Sequence, residues 1–189
     1  QVADKGLNCA RNIYAASIEA NDGYIFSKSV HGKNLSKQEK AWITLDNENN
    51  VWNEVKDING KLIYKYKECI DTFDYNFIND DGQYIKFKVK EKRVVSFNPS
   101  LAKKQQVQIQ KQIDKAKEMS TIKQASKSEY GDSIKYVNFA SSNNNGEIVD
   151  VVISLNQDKI DEDLQFAGYN LLVTSEINKS AEEIYNTYH

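Results

Sequence analysis

Asp4 ends the short run Gln1-Val2-Ala3, and Lys5-Gly6 turns the chain into a segment that reads as a helix through about Ser17. A carboxylate at the C-terminal end of a strand, where the chain enters a helix, projects from the sheet edge. There it can hold a metal ion. An aspartate in that position also initiates turns and caps helices, so spacing alone leaves both roles open.

A second set of residues suits a different chemistry. In Tyr84-Ile85-Lys86-Phe87-Lys88-Val89-Lys90, period two puts the three lysines on one face of a strand and Ile85, Phe87 and Val89 on the other. Arg93 follows, and Lys103 and Lys104 open the next helix. Twelve basic residues lie between Lys86 and Lys127 against three acids, although the whole chain carries a net charge of −2. From Glu147 onward nine acids face only Lys159 and Lys179. A basic segment inside an acidic chain is a candidate face for a polyanion. An ordinary solvated lysine-rich surface has the same composition.

Other chemistries find no support. His31 and His189 form no cluster, which argues against a histidine zinc site or a Ser/His/Asp triad within these residues. Cys9 and Cys69 match no metal spacing and are expected as free thiols in a reducing cytoplasm, with one disulfide as the alternative. No stretch of about 18 apolar residues suggests a membrane span, and no secretory-signal pattern is read in the chain.

The elements that must position these groups follow from periodicity. Residues 8–20 read as a helix with Ala10, Ile13, Tyr14 and Ile18 on one side. Asn21-Asp22-Gly23 is a turn, and Tyr24 to Val30 is an apolar strand expected to be central. Strand, helix and strand within thirty residues predict a parallel βαβ pair. Ser36-Lys37-Gln38-Glu39 is a capping box that opens a short helix through Trp42. Strands are expected at 51–55, 61–67 and 84–90, the last continued or repeated over 92–97, with Asn59-Gly60 and Asp80-Asp81-Gly82 as hairpin turns. After Pro99 a lysine- and glutamine-rich helix runs over 101–119 with a narrow apolar stripe. A loop at 126–132, strands at 134–140 and 147–155, a short acidic helix at 158–166 and a strand at 168–174 complete the pattern. Ser180-Ala181-Glu182-Glu183 is a second capping box. With no initiator Met and a chain that starts in a strand and stops in a helix, the sequence reads as part of a longer protein.

Two places carry a resemblance. Gln1-Val2-Ala3-Asp4-Lys5-Gly6-Leu7 resembles the segment bearing the second catalytic carboxylate of DDE transposases. Leu171-Leu172-Val173-Thr174-Ser175-Glu176, then Ser180 to Tyr185 and Tyr188, resembles the approach to the third. The subgroup is that of bacterial insertion-sequence transposases with a β-rich insertion between these acids. Tyr188 falls where their Tyr–Arg–Glu–Lys signature begins. The Arg, Glu and Lys fall past the chain.

The resemblance implies an α/β (α+β) fold: an RNase H-like core interrupted by a mainly antiparallel insertion. Residues 1–30 would be partial core, 31–175 the insertion and 176–189 the start of the helix leading to the catalytic Glu. It implies two-metal phosphoryl transfer on DNA with Mg²⁺ (or Mn²⁺), in which Asp4 supplies one carboxylate of three and the fragment alone is inactive. Lys86, Lys88, Lys90 and Arg93, and more weakly Lys103, Lys104 and Tyr188, would meet phosphates of double-stranded transposon ends. Trp42 and Trp52 are candidates for stacking on a base, with core packing as the competing use. The parent protein would act as a cytoplasmic homodimer on DNA. Two other readings of the same residues are a non-enzymatic DNA-binding relic and an unrelated α+β interaction domain.

Overall fold

A computed structural model describes residues 1–31, 35–46, 51–120, 127–141 and 151–188. The chain folds as two compact units of mixed α+β structure, one made of 1–99 with 169–189 and the other of 100–168.

The larger unit is built on one six-stranded sheet. Its strands are β1 (Val2–Ala3), β2 (Ile25–Lys28), β3 (Asn53–Lys56), β4 (Leu62–Ile78), β5 (Tyr84–Phe97) and, from the end of the chain, a strand over Tyr169–Thr174. β1 and β2 are parallel, with Ala3 opposite Phe26, as the βαβ pattern requires. Every other pairing in this sheet is antiparallel. The Tyr169–Thr174 strand lies between β2 and β5, so strands from 1–30 and from 31–175 share one sheet. Its run Leu171-Leu172-Val173-Thr174 is fully buried, as expected of a strand covered on both faces.

β5 covers the expected strand and its continuation over 92–97, but β4 is much longer than the strand expected at 61–67. Residues 68–78 continue β4, because Phe73, Tyr75 and Phe77 alternate with Thr72, Asp74 and Asn76. Gly60 and Gly82 both have φ 77°, the left-handed conformation these tight turns need.

Period two divides the sheet's two faces. Tyr24, Phe26, Val89 and Val173 pack on one side against Ile13 and Ala16. Those two residues sit on helix α1 (Ala10–Tyr14) and its continuation, a π-helical turn over Ala15–Glu19. Ile25, Val94 and Leu172 pack on the other side against Ala181 and Ile184 of the C-terminal helix, Ala181–Tyr188. Helix α2 (Lys37–Thr44) starts at the predicted capping box, with both reciprocal bonds between Ser36 and Glu39 present. Ser180 and Glu183 make the same reciprocal bonds at the start of the C-terminal helix.

The smaller unit holds α3 (Pro99–Ser120), a 3-10 segment over Lys127–Tyr136, β6 (Val137–Ser141), β7 (Val151–Leu155) and α4 (Gln157–Gln165). In chain order the Tyr169–Thr174 strand is therefore β8 and the Ala181–Tyr188 helix is α5. β6 and β7 form an antiparallel pair. Ile113, Ala116, Tyr130, Tyr136, Val137 and Ile160 form its core. Tyr130 and Tyr136 turn inward where a loop and the start of a strand were expected, and Gly131 supplies the kink between them with φ 52°. Residues 142–146, between the two expected strands, and the first residues of the 147–155 strand lie outside the described residues.

Candidate functional site: Asp4 and the lysine-bearing ribbon

Asp4 stands where β1 ends and a 3-10 turn over Lys5–Leu7 begins. Its carbonyl accepts from the Leu7 amide at 3.0 Å, and its carboxylate is exposed. The Tyr188 hydroxyl, on the last turn of α5, donates to Asp4 Oδ1 at 3.1 Å. Burial raises the Tyr188 phenol above its ordinary pKa and the Asp4 charge adds to this, while a bond with Ser27 opposes it. The segments at the two ends of the chain thus converge on one strand end. Nearby, the Thr174 hydroxyl donates to the Tyr24 carbonyl at 2.5 Å and accepts from the Glu176 amide at 3.0 Å, which fixes the exit of β8.

An exposed carboxylate is an oxygen ligand of the kind Mg²⁺ takes, but one carboxylate makes a weak site. Among the described residues, no three His, Cys, Asp or Glu side chains come together in a way that would hold a metal ion.

Lys86, Lys88 and Lys90 are exposed on one face of β5, while Val89 and Glu91 turn inward. Across the ladder they face Asn76, Asp74 and Thr72. Asp74 lies 3.6 Å from Lys88, and farther along the same face Glu68 lies 3.5 Å from Lys92. By alternation this is also the face on which α5 lies. Three strands and four residues of register separate Asp4 from Lys90, about 20 Å across the sheet.

Arg93 belongs elsewhere. It shares the odd-numbered face and is only 4% exposed. Its guanidinium pairs with Glu39, lies 3.6 Å from Glu91 and covers the Phe73 ring at 3.3 Å. Glu91 is 0% exposed. Both its oxygens accept from the Tyr75 hydroxyl, at 2.9 and 2.8 Å, and Tyr24 donates to it as well. Burial, and then the Glu91 charge, pushes both phenols well above their ordinary pKa. Lys28 completes the chain of charges at 3.1 Å from Glu39. Burial, and then Arg93, lowers the Lys28 ammonium. On Glu39 burial acts upward, but the Ser36 amide and Lys28 outweigh it and hold the carboxyl at about 2. The sequence reading missed this network, although the alternation that exposes Lys88 and Lys90 also turns Glu91 inward.

Trp42 and Trp52 face the chain's own lysines. Lys67 Nζ lies 5.4 Å from the Trp42 ring centroid and 4.4 Å from that of Trp52, and Lys65 Nζ lies 4.5 Å from Trp52. Lys67 is buried and donates to the Leu45 carbonyl at 2.6 Å. Lys103 and Lys104 are exposed on α3, in the other unit. Both cysteines are free thiols. No described helix is long and apolar enough to cross a membrane.

Comparison with known proteins finds no matching family model, curated protein or solved structure.

Proposed function

We propose that this chain is part of a DDE transposase, with Asp4 as its second catalytic carboxylate and the β4–β5 ribbon as a face for double-stranded DNA. The observation that carries the reading is the meeting of Asp4 and Tyr188. They are 184 residues apart in sequence and belong to the two segments with the most specific resemblance. β1 and β2 run parallel with α1 between them, as the strands of an RNase H-like core carrying that acid would.

The role of each residue follows from its chemistry. Asp4, on a rigid strand end, would hold Mg²⁺ or Mn²⁺ together with two carboxylates that the resemblance assigns to segments before Gln1 and after His189. The bound ions would activate the attacking oxygen and stabilise the leaving one. Tyr188 orients the Asp4 carboxylate through its hydroxyl. Lys86, Lys88 and Lys90 neutralise phosphates and position the duplex without reading its sequence. The parent protein would work in the cytoplasm as a DNA-bound homodimer.

The coding sequence on either side of these residues tests the reading. The frame should continue past His189 to an Arg and, about seven positions after Tyr188, a Glu. A strand ending in Asp should precede Gln1. A stop codon directly after His189 would remove the third carboxylate and leave a DNA-binding module as the better reading. Binding is tested separately. Affinity for a duplex should fall with salt at a log–log slope of about −2 to −3, as expected for three neutralised phosphates. Lys86→Glu/Lys88→Glu/Lys90→Glu should abolish it.

A further inference from the structure

A buried hydroxyl interrupts an apolar strand. Ile25 and Phe26 of β2 are followed by Ser27, which is 0% exposed. A serine in such a position loses its hydration and must be bonded within the protein instead. Ser27 is bonded to three separate segments. Its carbonyl accepts from Asn8 Nδ2 at 3.1 Å. Its hydroxyl donates to Asn170 Oδ1 of β8 at 3.2 Å. Its side chain is also hydrogen-bonded to that of Tyr188 on α5.

Two of these partners lead to Asp4. Asn8 directly follows the Lys5–Leu7 turn that Asp4 enters, and Asn12 Nδ2 ties the same turn to α1 by donating to the Leu7 carbonyl at 2.8 Å. The Tyr188 hydroxyl donates to Asp4 Oδ1. By alternation Ser27 lies on the α5 face of β2, because Ile25, two residues earlier, packs against Ala181 and Ile184. The docking of α5 does not depend on the serine: Ala181 and Ile184 are buried, and the Tyr185 ring stacks on Tyr64 with centroids 4.6 Å apart. An exposed carboxylate on a strand end turns about its side-chain bonds, whereas a group that takes part in chemistry has to be held to about 0.5 Å.

We propose that Ser27 is the positioning residue of this site: its carbonyl holds the Asp4-bearing turn through Asn8, and its hydroxyl aims Tyr188 at the Asp4 carboxylate. This deepens the assignment of Asp4 above and rests on it.

NMR of the chain labelled with ¹³C at tyrosine Cζ tests it, because that carbon responds to what the hydroxyl bonds. The Tyr188 signal is the one lost in Tyr188→Phe. Asp4→Asn should shift this signal in the otherwise unmodified chain. In a Ser27→Ala background most of that response should be lost, while the amide spectrum keeps the dispersion of the parent because α5 stays docked. If the full response persists in Ser27→Ala, the positioning role fails and the Asp4–Tyr188 pair stands. If Asp4→Asn moves nothing at Tyr188 even with Ser27 present, the pair itself fails, and the reading of the site with it. Should Ser27→Ala not fold, Asn8→Ala, which changes a side chain outside the sheet, decides instead: loss of the response supports the role and a full response overturns it.

Discussion

The Tyr188 hydroxyl donates to Asp4 Oδ1 at 3.1 Å, joining the last described helical turn to the end of the first strand. An exposed bond of this kind contributes about 1 kcal/mol or less. Tyr188→Phe and Asp4→Asn should therefore shift the urea midpoint only slightly. A loss above about 2 kcal/mol in either variant would make the pair structural and weaken its assignment to a reacting centre.

The chain by itself should not cut DNA. With Mg²⁺ or Mn²⁺ present, the purified 189-residue chain should leave supercoiled plasmid intact, because among the described residues no three His, Cys, Asp or Glu side chains come together to hold a metal ion. Metal-dependent nicking that disappears in Asp4→Ala would contradict this. It would also show that a complete site forms within these residues.

Glu91 is the most consequential buried charge of the larger unit. It is fully buried, accepts from two tyrosine hydroxyls and faces Arg93. Removing the charge leaves the Arg93 guanidinium, itself 4% exposed, with Glu39 as its remaining close carboxylate. Glu91→Gln should cost about 3 kcal/mol in guanidinium unfolding, the range seen when one partner of a buried pair is lost. Tyr75→Phe should cost about 1 kcal/mol. A Glu91→Gln cost below about 1 kcal/mol would mean that water reaches this network.

Much of this structure was legible in the sequence where a local rule acts alone. Both capping boxes, both Gly-containing hairpin turns and the parallel start of the sheet could be read from a few residues each. The exposure of Lys86, Lys88 and Lys90 followed from alternation. Other features were not legible because they depend on distant partners. Lys67 reads as one of several lysines in a surface strand until Trp42 and Trp52 come together around it. Arg93 reads as a continuation of the basic row, yet its odd number places it on the Glu91 side and Glu39 fixes it there. Nothing local in the sequence says that β8 will enter between β2 and β5.

Lys67 gives a prediction in which opposing effects nearly cancel. Burial lowers its ammonium to about 8, with Lys65 acting in the same direction and Asp46 opposing. Two indole faces and the Leu45 carbonyl compensate the charge. Lys67→Met removes the desolvation cost along with those contacts and keeps most of the side-chain volume. Its stability should lie within about 1 kcal/mol of the parent chain, while tryptophan emission changes because the cation leaves both rings. A loss above about 3 kcal/mol would mean that the ammonium is the main support of this corner.

In the smaller unit Asp163 makes stability acid-sensitive. Its carboxylate is nearly buried, which acts to raise its pKa. Bonds from Lys135 at 2.8 Å, Lys159 at 2.9 Å and Tyr136 at 2.8 Å more than offset that and hold it at about 2, below the ordinary 3.8. A carboxyl with a depressed folded-state pKa adds stability above its unfolded value and loses it as pH falls through the folded one. The contribution should be complete above about pH 4 and gone below about pH 2, and a shift of this size corresponds to about 2 kcal/mol. Asp163→Asn should lower stability at pH 7 by at least that amount, since Lys135 and Lys159 lose their shared partner. It should also flatten the fall in urea midpoint between pH 4 and pH 2. An unchanged acid limb in the variant would place the titrating groups elsewhere, with Glu39, held at about 2 in the other unit, as the first to test.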